Sequence, residues 1–266
     1  MFDRFNRRIH YLRISVTDRC NLRCTYCMPE EGITLIPHSQ ILSFEEIAEI
    51  TRVAVKMGFD KVRITGGEPL VRKGIVELVR MLTEIEGITD FGMTTNGTLL
   101  KLFAQPLYDA GLKRINVSLD TLNPERYRAI TRVGTLSDVL QGLQEAKRVG
   151  FNPIKLNCVV DKNSKEFDAL EVKAFAQANG YVPRFIPKMN LEEGVFGEVE
   201  GGDGGNCSIC NRIRLTANGI IKPCLFSDIG YNVRELGIEK AIELAIKNKP
   251  ASGLVNSTGK FYNIGG

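Results

Sequence analysis

Short runs of β-branched and aromatic residues alternate with amphipathic helical stretches along most of the chain. Six runs have this character, at residues 11–17, 61–66, 88–95, 113–120, 153–160 and 181–187. Strands that alternate with helices predict βα units on a parallel sheet. Two helix starts are explicit, because Ser43 and Glu46 match a capping box and Asn123–Pro124 matches a cap followed by a first-turn proline. The pattern therefore predicts an α/β fold, either a barrel or a partly open one.

The two faces of the predicted strands differ in polarity. One face is apolar and consists of Ile14, Val16, Val62, Ile64, Ile115, Val117, Ile154 and Leu156. The other face is polar and consists of Arg13, Ser15, Thr17, Lys61, Arg63, Thr65, Gly92, Thr94, Asn96, Asn116, Ser118, Asp120, Lys155 and Asn157. Because strand side chains alternate with a period of two, we expect the apolar set to meet the helices and the polar set to line the interior. A polar, basic interior is costly unless it holds a ligand. An antiparallel sheet with one wet face is the alternative, which the intervening helices disfavour.

Composition narrows the class of protein. The 266 residues include 35 Lys plus Arg against 31 Asp plus Glu, so the net charge of +4 gives only a weak overall field. A general nucleic-acid binder would be more basic, and we expect no nucleic-acid partner. No run of about 18 apolar residues is present, and the N-terminal segment lacks the apolar stretch of a signal peptide. We expect a soluble cytoplasmic protein without a membrane partner.

The composition of the sequence changes after Met189, where a glycine-rich and acidic stretch begins. Such a composition is typical of a flexible link. A compact cysteine-bearing segment follows it and leads into a helical tail. We therefore predict a barrel domain over residues 1–190, a link over 191–206 and a C-terminal module over 207–266.

Six of the seven cysteines fall into two tight groups of three. The first group, Cys20, Cys24 and Cys27, follows the first predicted strand directly. The carboxyl ends of barrel strands are where active sites gather. Three thiolates can hold a cubane iron–sulfur cluster and leave one iron open to a small molecule. Structural zinc is the alternative, but it needs four ligands and no fourth is evident.

The second group, Cys207, Cys210 and Cys224, again offers three thiolates. An accessory iron–sulfur cluster with an open iron is the preferred interpretation, and a redox CxxC pair or a damaged zinc knuckle are the alternatives. Arg212 and Arg214 lie inside this group at alternate positions, which suits an anionic ligand or a solvated face. The seventh cysteine, Cys158, lies in an apolar run and is predicted to be a packed core residue.

Cys20, Cys24, Tyr26 and Cys27, followed by the Gly66-Gly67-Glu68-Pro69 segment after the second strand, resemble the radical S-adenosylmethionine superfamily. The resemblance implies a partial (β/α)6 TIM-like barrel with a C-terminal iron–sulfur module. It also implies a cluster whose open iron chelates S-adenosylmethionine and cleaves it to a 5′-deoxyadenosyl radical. Glycines allow close backbone approach at a strand end, and Glu68 would place a negative charge near the ammonium of the cofactor.

A narrower resemblance is carried by SVTDRCNLRCTYCMP, RITGGEPL, TTNG, RINVSLD, the second cysteine group and the terminal Gly265-Gly266. Together they are similar to the MoaA-type GTP 3′,8-cyclases of molybdenum cofactor biosynthesis. That family uses two 4Fe-4S clusters and S-adenosylmethionine to convert GTP into (8S)-3′,8-cyclo-7,8-dihydroguanosine 5′-triphosphate.

This resemblance implies a role for individual residues. Arg13, Arg63, Thr94 and Lys155 would bind GTP, and all four lie on the polar strand face found independently above. The residues implied to contact S-adenosylmethionine are Tyr26, Gly67, Glu68, Ser118 and Met189. Arg212 and Arg214 would approach the substrate, and the tail with Gly265 and Gly266 would reach the active site beside them.

The resemblance also implies partners: a flavodoxin- or ferredoxin-like electron donor, cyclic pyranopterin monophosphate synthase as the next enzyme, and possible homodimerisation. The chain departs from the family in having only 17 residues, 190–206, where a longer strand and helix insertion is usual. The alternatives are another radical S-adenosylmethionine enzyme with an accessory cluster, such as a peptide-modifying maturase, and a non-catalytic iron–sulfur carrier or zinc module.

Overall fold

The computed structural model describes residues 1–189 and 197–254 of the chain. Nine strands lie in the described part, each close to a run of β-branched or aromatic residues. Their bounds are β1 Tyr11–Ser15, β2 Lys61–Thr65, β3 Asp90–Thr95, β4 Ile115–Ser118, β5 Ile154–Val160, β6 Val182–Pro187, β7 Arg212–Leu215, β8 Ile220–Lys222 and β9 Tyr231–Asn232. The six strands predicted from the sequence are confirmed as β1 to β6.

Helices connect the first six strands, as the alternation predicts. The helices between these strands are α1 Phe44–Lys56, α2 Ile75–Thr83, α3 Leu100–Asp109, α4 Pro124–Thr131, α5 Leu136–Val149 and α6 Phe167–Asn179. Two further helices, α7 Val233–Leu236 and α8 Ile238–Lys247, follow β9. The Ser43–Glu46 capping box is present with both of its hydrogen bonds, and Asn123 caps α4 by accepting from the Arg126 N–H. Local sequence therefore sets where these two helices begin.

All nine strands belong to one sheet in the order β6-β5-β4-β3-β2-β1-β7-β8-β9. Strands β1 to β6 pair in parallel, and β7 also pairs in parallel with β1 on the opposite side from β2. The antiparallel pairs β7–β8 and β8–β9 complete the sheet. The second cysteine group is thus attached to the barrel wall through β7, so its position relative to β1 is fixed by backbone hydrogen bonds.

The hydrophobic core lies between the helices and the apolar strand face. Ile14, Val62, Ile64, Ile115 and Val117 are completely buried there, as the two-residue period predicts. Cys158 is buried in the same core, which confirms its interpretation as a packing residue. No helix in the described part of the chain is long and apolar enough to cross a membrane.

Candidate active site

The polar face of the sheet carries two lateral rows of side chains across β7, β1 and β2. Arg13 lies beside Arg214 on one neighbouring strand and beside Arg63 on the other. One pleat towards the amino ends, Tyr11 lies between Arg212 and Lys61. Since residues paired across parallel strands share a face, the register brings four predicted substrate residues, Arg13, Arg63, Arg212 and Arg214, onto one surface.

Gly92 makes room for the guanidinium of Arg63. The two residues are register partners, and a Cβ added at Gly92 would lie 2.7 Å from Arg63 Nη1. Across this gap, Nη1 of Arg63 donates a 3.1 Å hydrogen bond to Asn116 Oδ1 on β4. Thr94 is the register partner of Asn116, and Lys155 pairs with it on the other side, so the polar face continues without interruption from β7 to β5.

Asp90 neutralises part of this basic surface. Asp90 forms an ion pair of 3.0 Å with Lys61 and a second one with Arg114. By contrast, the buried Nε atoms of Arg63, Arg184 and Arg212 have no hydrogen-bond partner among the described residues. Buried polar atoms are normally paired, so these donors fit an anionic ligand in the same space.

Several cations of the basic surface lie close enough together to lower one another's pKa. Burial lowers the pKa of Lys155, and the nearby positive charges of Arg184, Arg114, Arg63 and Lys61 lower it further. Burial also lowers the pKa of Arg214 to about 9, with additional effects from Arg13 and Arg212. An anion bound here would relieve this repulsion.

The first cysteine group lies just beyond the carboxyl end of β1. Burial and the nearby charges of Asp120, Cys27 and Cys20 together raise the pKa of Cys24 to about 12, as expected for three thiols that lie close together. Sγ of Cys20 accepts hydrogen bonds from the Leu22 N–H at 3.4 Å and from Asn96 Nδ2 at 3.9 Å. Converging thiols with N–H donors to sulfur fit a thiolate-bound iron–sulfur cluster.

The Gly66–Gly67 segment packs directly against the backbone that leads to Cys20. The Gly67 N–H donates to Thr17 O at 2.7 Å, and the Glu68 N–H donates to Arg19 O at 2.8 Å. A Cβ at Gly66 would lie 2.8 Å from Thr17 O, and one at Gly67 would overlap Arg19 O. Glycine is therefore required at both positions to hold the cysteine loop against the strand end.

Glu68 is buried and accepts three hydrogen bonds. They come from Thr95 Oγ1 at 2.7 Å, the Leu70 N–H at 3.0 Å and the Asn96 N–H at 2.6 Å. Burial raises its pKa to about 7 despite these donors. The carboxylate thus ties the glycine segment to the carboxyl end of β3, and its predicted contact with S-adenosylmethionine stays a prediction.

Tyr26 and Ser118 both lie near the carboxyl end of β4. The Tyr26 hydroxyl donates to Asp120 Oδ2 at 2.8 Å, which fixes the cysteine loop against the chain that follows β4. Ser118 is the last residue of β4 and is half-buried. The structure therefore brings Tyr26, Gly67 and Ser118 to the strand ends around the first cysteine group, where the sequence predicted the cofactor.

The second cysteine group lines an open pocket. Cys207, Cys210 and Cys224 share this pocket with Arg212 and Arg214. Burial would raise the pKa of Cys210, but Lys249, the Arg212 N–H and the Arg212 charge together lower it. Three thiols with a neighbouring cation fit a cluster here too. No three His, Cys, Asp or Glu side chains in the described ranges converge closely enough to hold a single metal ion.

Met189 lies near the second group as well as at the end of β6. It packs against Leu225 and Phe226, next to Cys224. Gly265 and Gly266 lie outside the described residues, so the predicted approach of the tail to Arg212 and Arg214 stays a prediction.

Two residues of the basic surface, Tyr11 and Arg184, belong neither to the predicted site residues nor to the polar strand face predicted from the sequence. Tyr11 is two positions before Arg13 on β1, and Arg184 is the register partner of Asn157 on β6. The two-residue period that selected Arg13 and Asn157 also applies to them.

Comparison with known proteins gives a consistent family assignment. Residues 14–176 match the model of the Radical SAM superfamily. The chain is 44% identical to a GTP 3′,8-cyclase of Thermodesulfovibrio yellowstonii over 282 residues, covering 89% of this chain and 88% of that protein. It is 39% identical to a GTP 3′,8-cyclase of Petrotoga mobilis over 304 residues, covering 95% of this chain and 94% of that protein.

Solved structures show the same fold at much lower identity. SuiB of Streptococcus suis, solved with S-adenosylmethionine bound, superposes with a TM-score of 0.64 at 19% identity. The superposition covers 96% of this chain and 70% of SuiB. The partial barrel predicted from the sequence is confirmed by this likeness and by the sheet order.

Proposed function

Because this chain belongs to the Radical SAM superfamily and, within it, to the GTP 3′,8-cyclase family, we propose that it converts GTP into (8S)-3′,8-cyclo-7,8-dihydroguanosine 5′-triphosphate. The reaction is an early step of molybdenum cofactor biosynthesis and makes the protein a lyase. Cyclic pyranopterin monophosphate synthase would consume the product.

The position of Arg214 is the observation that carries this proposal. Arg214 is the register partner of Arg13 on β1, and it lines the same pocket as Cys210 and Cys224 of the second group. The basic strand face and the second cysteine pocket are therefore parts of one continuous site. Such a site suits a ligand with an anionic end and a base, which is the chemistry of a nucleoside triphosphate.

The basic strand face would bind the triphosphate. Arg13, Arg63, Lys155 and Arg184 present guanidinium and ammonium donors on neighbouring strands, and Arg groups bind phosphate oxygens in a planar, bidentate way. Thr94 would add a hydroxyl beside them. These contacts would hold the ribose in a fixed orientation, which is how binding remote from the reacting bond accelerates a reaction.

The first cysteine group would hold the radical source at the strand ends. A 4Fe-4S cluster held by Cys20, Cys24 and Cys27, with S-adenosylmethionine bound, would supply the radical chemistry that removes hydrogen from the ribose C3′. Relative to GTP, the product has a new bond from C3′ to C8; the C3′ hydrogen leaves with 5′-deoxyadenosine, and one electron from the reductant and one proton are gained at N7. The backbone of Tyr26, with Gly67, Ser118 and Met189, would position the cofactor.

We also propose a second 4Fe-4S cluster on Cys207, Cys210 and Cys224, with its open iron facing the guanine. The shared pocket of the three cysteines with Arg212 and Arg214 supports it. For the electron donor, we propose a flavodoxin- or ferredoxin-like protein. Cys27 is exposed, and an open pocket lies beside Cys20, so a redox protein could approach the first cluster there.

Product formation tests the proposal directly. Anaerobically reconstituted protein is incubated with GTP, S-adenosylmethionine and a strong reductant, and the products are separated and analysed by mass. We expect 5′-deoxyadenosine together with a GTP isomer of unchanged mass. The variant Arg63→Ala is expected to lose the isomer, whereas Arg52→Ala on the exposed face of α1 is expected to keep it. Formation of 5′-deoxyadenosine without any GTP isomer would refute the cyclase.

A further inference from the structure

Lys249, just beyond α8, is buried behind the second cysteine group. Its side chain is among the largest that are completely enclosed, with an exposed fraction of 2%. Nζ donates to Arg212 O at 2.8 Å and to Pro223 O at 2.6 Å. Lys249 also lines the same pocket as Cys210, and its charge lowers the pKa of that thiol. One ammonium therefore touches the segments of two cysteines, since Pro223 directly precedes Cys224.

Arg7, near the N-terminus, holds the same region from the other side. Its guanidinium donates to Cys207 O at 2.7 Å, to Pro250 O at 2.6 Å and to Ala251 O at 3.1 Å. Two of these carbonyls directly follow Lys249. The side chain of Arg7 is 5% exposed and that of its ion-pair partner Asp3 is 0% exposed, with 2.7 Å between them. The two buried cations together contact all three cysteine segments.

The two cations differ in how their charge is compensated. Arg7 has the buried carboxylate of Asp3, but no ion pair between Lys249 and an acidic side chain is found among the described residues. A buried ammonium that is bonded only to neutral carbonyls is costly. Lys249 lines the same pocket as Cys207, Cys210 and Cys224, so the negative charge that it needs would come from the cysteine pocket itself.

We propose that Lys249 is a positioning residue that stabilises the negative charge of the second iron–sulfur cluster and sets its reduction potential. The inference rests on the second cluster of the proposed function. An N–H to sulfur hydrogen bond and a nearby cation both favour the reduced, more negative state of a cluster. Lys249 also fixes the carbonyl of Arg212 and thereby orients the strand that carries Arg212 and Arg214. Arg7 holds the segment that follows Lys249 and so keeps the ammonium in place.

The test uses a full-length parent in which Cys20, Cys24 and Cys27 are each replaced by alanine, so that the second group alone can carry a cluster. Iron and sulfide content are measured after anaerobic reconstitution, and the midpoint potential is measured by redox titration followed by electron paramagnetic resonance. The variants are Lys249→Gln and Lys249→Arg. The matched control is Lys247→Gln, two residues away and exposed.

We expect Lys249→Gln to shift the midpoint potential to more negative values, or to lose iron, because the compensating charge is gone. Lys249→Arg should retain the cluster near the parent potential, and Lys247→Gln should match the parent. An unchanged potential and iron content in Lys249→Gln would overturn the inference. Loss of iron in both Lys249→Gln and Lys249→Arg would overturn it too, because the shape of lysine rather than its charge would then be required.

The same experiment distinguishes a failure of the proposed second cluster from a failure of the role of Lys249. If the parent with Lys249 intact binds no iron, the proposed second cluster itself is wrong. If the parent binds a cluster that is indifferent to residue 249, the second cluster stands and only the role of Lys249 fails.

Discussion

Tyr11 is the residue whose ionisation is most directly coupled to the basic surface. Burial alone would raise its pKa, but the guanidiniums of Arg13, Arg63 and Arg212 lower it to about 7. Arg13 Nη1 lies 3.3 Å from the hydroxyl, and the ammonium of Lys61 lies 4.9 Å from the ring centroid. In the absence of an anionic ligand, the phenolate can supply negative charge to this cluster of cations.

The charge on Tyr11 should oppose GTP binding at high pH. Above pH 7 the phenolate occupies the positive field that would otherwise attract the triphosphate, so we expect the affinity for GTP to fall as pH rises from 6 to 9. Tyr11→Phe cannot ionise and should show a flatter profile. Anaerobic titration calorimetry at several pH values measures this. Identical pH profiles for the wild type and Tyr11→Phe would contradict the coupling.

The lowered pKa of Tyr11 also affects the free energy of unfolding. Because the pKa of Tyr11 is lower in the folded chain than in the unfolded chain, its phenolate increases the free energy of unfolding. That contribution is complete above the unfolded pKa of about 10 and is lost as pH falls through 7. Denaturant unfolding of the wild type and Tyr11→Phe should therefore diverge between pH 7 and 10, with the wild type gaining stability relative to the variant. A constant difference would argue against it.

Gly67 is needed for the close packing of two backbones. A Cβ there would overlap Arg19 O, which cannot move away without breaking the hydrogen bond from the Glu68 N–H. We expect Gly67→Ala to reduce the iron bound by the first cysteine group by more than half. Gly32→Ala in the same region is the control, because its Cβ would meet nothing and only the positive φ of 86° would cost about 1 kcal/mol. Equal iron content in both variants would refute the packing argument.

At the scale of the elements, the lack of a side chain at Gly92 on β3 makes room for the side chain of Arg63 on β2. The space above Gly92 holds the Arg63 guanidinium, which continues to Asn116 on the next strand. The sheet thereby places an arginine from β2 over β3. Because the group that a Cβ would meet is the far end of a flexible side chain, filling the space moves the arginine rather than the backbone.

Gly92→Ala should therefore impair binding more than stability. We expect the KM for GTP to rise by about tenfold, which corresponds to about 1.4 kcal/mol, while the melting temperature stays within a few degrees of wild type. In an Arg63→Ala background, Gly92→Ala should have no further effect on KM, as steady-state kinetics of the double-mutant cycle can show. Additive effects would mean that Gly92 acts independently of Arg63.

The strand alternation predicted much of this element-level arrangement. Arg13, Arg63 and Lys155 follow a two-residue period opposite an apolar face, and period and polarity are local properties of the sequence. The gap at Gly92 was harder to anticipate, because a glycine within a strand can equally mark a bulge. Lys249 and Arg7 carried no sequence signal, since their partners lie far away along the chain; Arg7 meets Cys207 across 200 positions.

At the scale of the whole molecule, the sheet order joins the two cysteine groups through one strand. Cys20 follows β1, and Cys210 precedes β7, the parallel neighbour of β1. The alignment with the Thermodesulfovibrio protein spans 282 positions but only 89% of the 266 residues, so about 45 positions lack a counterpart here. The β1–β7 pairing is present even in this shorter chain.

The two groups should be separable in function. In Cys210→Ala we expect iron to fall from about eight to about four per chain, as for the loss of one cubane. The variant should still form 5′-deoxyadenosine, because the first group is intact, but should lose the GTP isomer. Iron analysis and chromatography of the products check both parts. Retention of the GTP isomer would show that the second group is not required for cyclisation.

Transfer of a label from substrate to cofactor tests the central claim most directly. Reconstituted protein is incubated anaerobically with S-adenosylmethionine, a strong reductant and GTP deuterated at the ribose C3′, and the 5′-deoxyadenosine is analysed by mass. A GTP 3′,8-cyclase predicts one deuterium in 5′-deoxyadenosine and none at C3′ of the cyclised nucleotide. Formation of unlabelled 5′-deoxyadenosine, with the deuterium retained in GTP, would contradict it.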